Sequence, residues 1–183
     1  MPDLYTRKAD LDVQRHRRDH ADRQQQQITT PARLRLSRHR RLRARERQGD
    51  LNRMAITGFC RGGRTTLVYA AENPAVEGGN GGVGRPVGGA ANEFTPRTAM
   101  DRVAQNKVPT LGLYGAKDAG IPVEPVEKYF AALKAAGTPA ELVVYPDAGH
   151  GFHADFRADN YRKADAEDAW KRMLAWFARH GAA

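Results

Sequence analysis

Arg53-Met54-Ala55-Ile56-Thr57-Gly58-Phe59-Cys60-Arg61-Gly62-Gly63 is the stretch on which the reading of this chain turns. The apolar run at 53–57 reads as a short strand ending in a glycine-bounded turn at Gly58, and a helix is predicted from about Gly62 to Glu72. A strand, a sharp turn carrying a nucleophile between glycines, and a helix together make the pattern of a nucleophile elbow. The turn is expected to lift the Cys60 sulfur above the edge of a sheet. Side chains at Gly58 or Gly62 are expected to collide with the neighbouring strand and helix. The backbone N–H of Arg61, at the start of the helix, is then placed to donate to a tetrahedral oxyanion. Because the nucleophile is a cysteine, the attacking group would be a thiolate.

The rest of the C-terminal portion alternates strand and helix. Residues 110–114, entered through Pro109 and left at Gly115, read as a buried strand, and residues 141–145, closed by Pro146-Asp147, as the next. Between them Val126, Tyr129, Phe130 and Leu133 fall at i, i+3, i+4 and i+7, one face of a helix that Gly137 would end as its C′ residue. Trp170, Met173, Leu174 and Phe177 repeat that spacing and predict a buried stripe on a final helix. Alternation of this kind implies an α/β fold with a mostly parallel sheet covered on both faces.

Two further polar residues fall just past strand ends, where active groups of open parallel sheets gather. Asp118 follows the strand at 110–114, and His150 follows the strand at 141–145, in Ala148-Gly149-His150-Gly151-Phe152. The order nucleophile, acid, histidine gives a candidate catalytic triad of Cys60, Asp118 and His150. His150 would take the thiol proton, and Asp118 would fix its tautomer and stabilise the imidazolium. The bland alternatives are a buried apolar cysteine, an aspartate serving a turn and a histidine capping a loop.

The motif at 58–63, Leu113-Tyr114-Gly115-x-x-Asp118, and Gly149-His150-Gly151-Phe152 together resemble the dienelactone hydrolase family, the carboxymethylenebutenolidases. The resemblance runs over about 49–75 and from 93 to the C-terminus, and it touches Pro2-Asp3-Leu4-Tyr5-Thr6-Arg7. It implies an α/β-hydrolase that opens an ester or enol-lactone in aromatic compound degradation through a Cys-His-Asp triad. It further implies a substrate-binding role for Arg7, holding a carboxylate, and requires no cofactor. A second family arginine, four residues past the histidine, falls here on Ala154, with Arg157 nearby but not matching. The family's early strands precede the Pro-Asp-Leu-Tyr segment, so an incomplete α/β-hydrolase fold lacking them is expected. A sheet edge exposed in this way makes self-association plausible, and a catalytically inactive relative is the alternative.

Two segments depart from this pattern. The chain's net charge of +9 resides in residues 14–47, which hold twelve Arg against three acidic residues, while the remainder holds 18 basic and 18 acidic residues. Residues 14–48 contain no aromatic residue and only seven apolar ones, so this segment is expected to be irregular or disordered. Residues 78–89 hold seven glycines in twelve and read as a flexible loop. Out-of-frame translation of GC-rich DNA would give both compositions. The expected organisation is therefore a remnant at 1–13, the Arg-rich segment at 14–48, and the C-terminal part of the hydrolase domain at 49–183.

The other function classes fare less well. Twelve arginines could neutralise phosphates, but the segment lacks stacking aromatics and any nucleic-acid-binding motif, so no specific nucleic-acid partner is expected. His150, His153 and Asp155 form a poor chelating template, with His153 expected to be an exposed loop residue, and no metal is expected. A single cysteine excludes an internal disulfide framework. No window approaches a membrane-spanning helix, and the first residues lack a secretory pattern. A small-molecule ester or lactone partner and a cytoplasmic location follow as expectations.

Overall fold

The computed structural model describes residues 53–73, 80–83 and 97–181, with 80–83 described by backbone alone. The chain divides into two compact units, Met1–Leu51 with Gly89–Arg97 and Asn52–Gly88 with Thr98–Ala183, and everything below concerns the second. Arg7 and the Arg-rich segment lie outside the described residues.

Among the described residues, four strands form one parallel sheet in the order β1 (Ile56–Phe59), β2 (Asn80–Val83), β3 (Thr110–Gly115) and β4 (Ala140–Tyr145). Helix α1 (Arg61–Glu72) follows β1, α2 (Val123–Ala135) joins β3 to β4, and α3 (Lys163–Arg179) follows β4. A 3₁₀ turn, Met100–Gln105, precedes β3.

Strand alternation assigns the two faces. Gly112 and Tyr114 of β3 point to α2, where the Tyr114 and Phe130 rings meet edge to face at 6.3 Å. The opposite face carries Thr57, whose register places it in line with Leu111, and its hydroxyl donates to Met173 Sδ of α3 at 3.3 Å. Tyr145 shares that face, and its hydroxyl donates to Asp168 of α3 at 2.8 Å. Parallel strands advancing in one direction with the connecting helices α1 and α2 on one side are what right-handed crossovers require. Both faces of β3 are thereby covered, and all six of its residues are buried.

Helix α2 buries Val126, Tyr129, Phe130 and Leu133, the four positions its spacing predicts. Its chain reversal uses Gly137 at φ 76°, a left-handed conformation that costs glycine little.

The secondary structure corrects the sequence reading in three places. Residues 80–83, expected to lie in a flexible loop, form β2 at the centre of the described sheet, paired on both sides. Backbone hydrogen bonding from two neighbours supplies what the local sequence does not. β1 continues through Gly58 to Phe59, so the turn begins at Cys60 rather than Gly58. On α3 the buried face is Ala166, Ala169, Met173 and Trp176, while Trp170 and Leu174 are half-exposed. Two small alanines extend the apolar face along the helix and rotate it away from the larger Trp170 and Leu174.

Candidate active site

Cys60 sits between β1 and α1 with φ 54° and ψ −116°, and among the described residues it is the one non-glycine with positive φ. Such a backbone conformation costs on the order of 1–3 kcal/mol and persists only where its surroundings enforce it. The enforcement is steric on one side. A Cβ at Gly58 would overlap the backbone of Gly62 and lie 2.8 Å from the Gly63 nitrogen. The expected collision at Gly62 itself is not found, because a Cβ there meets nothing within 4 Å. Gly58 is the residue that lets strand and helix approach, and Gly62 supplies backbone that Gly58 must clear. Arg61 is the first residue of α1, so its N–H lies at the positive end of the helix dipole beside the sulfur.

The loops after β3 and β4 are joined by backbone bonds. Ala116 N–H donates to Tyr145 O and Lys117 N–H to Ala148 O, each at 2.9 Å. Gly115 lies against the Ala148 backbone so closely that a Cβ would stand 2.6 Å from the Ala148 carbonyl carbon. This junction brings Asp118 and His150 together. Asp118 Oδ2 lies 2.7 Å from His150 Nδ1, and Oδ1 accepts from the N–H groups of Gly120 at 2.8 Å and Ile121 at 3.0 Å. The carboxylate is fixed by three bonds, and its side chain is only 2% exposed. Accepting from Nδ1–H leaves the Nε2 lone pair available, and Nε2 stands 2.8 Å from Cys60 Sγ. Asn160 holds the loop from its far side, donating to His150 O at 3.1 Å.

Burial pushes the Cys60 thiol above its ordinary pKa, and the Asp118 charge pushes it the same way, while the Arg157 guanidinium opposes both. Both effects disfavour the thiolate of the resting sulfur.

Beside the sulfur opens a cavity of about 330 Å³ lined by Phe59, Phe152, His153, Phe156 and Arg157, among others. His153, expected to be an exposed loop residue, is instead half-buried. Its ring lies 4.1 Å from that of Phe152 and meets Phe59 edge-on at 5.3 Å. Burial lowers its pKa by disfavouring the charged imidazolium. Sequence reasoning did not single out Phe59 or Phe156. Phe59 sits inside the elbow and Phe156 six residues past His150, positions that no local spacing links. Among the described residues, no group of three or more His, Cys, Asp or Glu side chains is arranged to hold a metal ion, and no helix is long and apolar enough to cross a membrane.

A protein of Methylorubrum extorquens strain AM1, named as a putative carboxymethylenebutenolidase, is 48% identical over 136 residues, covering 74% of this chain and 46% of its own length. A protein of the same name from Salmonella typhimurium strain LT2 is 48% identical over 133 residues, covering 73% of this chain and 48% of its own. The chain thus spans about half the length of the curated relatives it matches. Among solved structures, a putative dienelactone hydrolase of Klebsiella pneumoniae superposes with a TM-score of 0.82 at 39% identity, over 96% of this chain and 72% of that one. The acylaminoacyl peptidase of Pyrococcus horikoshii, 17% identical with a TM-score of 0.64 over 78% of this chain and 26% of its own, shares the fold. A family profile described as the dienelactone hydrolase family matches residues 1–181. With that match, an elbow at Cys60 and an α/β-hydrolase fold, the chain belongs to the dienelactone hydrolase family.

Proposed function

We propose that this chain hydrolyses a carboxylic ester or enol-lactone through Cys60, His150 and Asp118. The observation that supports the reading is the continuous relay from Sγ through the two imidazole nitrogens to a buried carboxylate, at 2.8 and 2.7 Å. In the first step the thiol proton passes to His150 Nε2 as the sulfur attacks the carbonyl carbon, forming the C–S bond. Negative charge gathers on the carbonyl oxygen, which in this reading accepts from the Arg61 N–H. Collapse breaks the C–O bond, and the leaving oxygen takes the proton back from His150. In an open-chain ester the alcohol departs, whereas in a lactone it stays tethered to the acyl group. Water then attacks the acyl-thioester as His150 removes its proton, releasing the carboxylic acid and restoring the thiol. Asp118 holds Nδ1–H throughout and stabilises the imidazolium in each half-reaction. Arg7 is assigned in this reading to the substrate carboxylate, a role that suits a bidentate guanidinium.

The test is hydrolysis of a cis-dienelactone and of an activated acetyl ester by the purified chain beside Cys60→Ala. Turnover that disappears in the variant is the expected result. Equal turnover in both proteins, or none in either, would remove Cys60 as a working nucleophile.

A further inference from the structure

The cavity beside Cys60 has one fixed aromatic wall and one exposed aromatic lip. The wall is a row of rings: Phe59 meets His153, His153 lies on Phe152, and the fully buried Phe152 packs against Tyr145 at 5.2 Å. The row is therefore anchored in the core. The lip is Phe156, 82% exposed, whose ring has the Arg157 guanidinium 5.7 Å from its centroid. At that exposure the Phe156 ring gains little from packing and is open to a bound group. Phe59, at 41% exposure, presents a second accessible ring to the same space. An apolar cavity of about 150 Å³ accepts a benzene ring, so 330 Å³ has room for a ring together with the group that joins it to a reacting carbonyl. Ring faces favour flat partners in stacked or edge-to-face contact, and a puckered saturated ring of like size gains less.

Resting on the ester-hydrolase reading above, we propose that Phe59 and Phe156 form an aromatic clamp beside the Cys60 sulfur. The clamp selects esters bearing a flat aryl ring over those bearing a saturated ring of similar size. The guanidinium of Arg157 steadies the Phe156 ring by cation–π attraction.

The experiment compares two matched pairs of substrates on the full 183-residue chain: phenyl against cyclohexyl acetate, and vinyl benzoate against vinyl cyclohexanecarboxylate. The aryl-to-cyclohexyl ratio of kcat/KM is measured for the native chain, Phe156→Ala, Phe156→Tyr and Phe59→Leu. Dividing each variant's ratio by the native one cancels the intrinsic reactivity of the esters. In at least one pair the ratio should fall five- to twenty-fold in Phe156→Ala and in Phe59→Leu, and stay within two-fold in Phe156→Tyr. Ratios within two-fold of native in both pairs for Phe156→Ala and Phe59→Leu would overturn the clamp.

A binding arm separates this outcome from failure of the hydrolase reading. Phenyl acetate is titrated calorimetrically into Cys60→Ala and into Cys60→Ala with Phe156→Ala. Without turnover in the native chain, binding that weakens at least five-fold in the double variant upholds the clamp while the hydrolase reading falls. In that case undetectable binding, or equal binding to both variants, overturns the clamp.

Discussion

Gly58 and Gly62 meet backbone to backbone, and the space between them is too small for the one methyl group that an alanine at Gly58 would add. The relationship is asymmetric. Gly58→Ala drives its Cβ into the carbonyl of Gly62, so either β1 or α1 must move and the Cys60 turn must relax. A loss of about 1–3 kcal/mol is expected, as for other overpacked sites. Gly62→Ala enters open space in the first turn of α1 and should change stability by less than about 1 kcal/mol, with helix propensity favouring alanine. Urea denaturation of both variants checks the pair. Equal losses would mean that the close approach does not hold the elbow.

Asp118→Asn keeps an oxygen for the Gly120 and Ile121 N–H groups but loses the charge that faces His150. Its amide can present N–H to Nδ1 and so invert the tautomer that leaves Nε2 able to accept a proton. Ester hydrolysis should fall by about 10⁴, the scale seen when a triad carboxylate is neutralised, while the melting temperature moves little. Activity and thermal melting measured on the same preparation check both halves.

The thiol should titrate above the ordinary cysteine range. Burial and the Asp118 charge both disfavour the thiolate, the Arg157 charge favours it, His150 is its hydrogen-bond partner, and burial disfavours the charged form of the neighbouring His153. Alkylation of Cys60 by iodoacetamide should therefore rise with pH later than for a free thiol. Arg157→Gln removes the one favourable side-chain charge named here, so its profile should move to higher pH. At a given pH below the midpoint it should react about two- to five-fold more slowly, an effect that shrinks with added salt because Arg157 is exposed. A profile that moves to lower pH would contradict this balance of charges.

On α3 the two tryptophans should behave oppositely. Trp176 is buried among core side chains, and Trp170 is half-exposed. Trp176→Ala should lose about 3–5 kcal/mol, and Trp170→Ala less than about 1 kcal/mol. Chemical denaturation of the two variants decides the orientation of the helix.

Much of the fold was legible where neighbouring residues carry the signal. β3 and β4 are dense apolar runs closed by Gly115 and Pro146, and α2 declares its face through four large side chains. Cys60, Asp118 and His150 could be picked out because each sits at a strand end, and the backbone bonds between the β3 and β4 loops bring the last two together. β2 was not legible, because Asn80-Gly81-Gly82-Val83 is a strand only by virtue of the strands on either side. The face of α3 was misread because Trp170 and Leu174 outweigh Ala166 and Ala169 in hydrophobicity, yet the small residues are the ones that pack. The cavity wall was invisible for another reason. Phe59 and His153 are 94 positions apart in the numbering and meet only once the end of β1 and the His150 loop come to the same carboxyl end of the sheet.

The most direct test of the central proposal is intact-protein mass after rapid acid quench of the chain mixed with an activated ester. The account predicts a transient mass increase equal to one acyl group, mapped to Cys60 and absent from Cys60→Ala. In His150→Ala any acyl adduct should form more slowly and persist longer, because both half-reactions use that imidazole. Ester turnover without any acyl adduct on Cys60, or an adduct that forms and decays equally fast without His150, would contradict it.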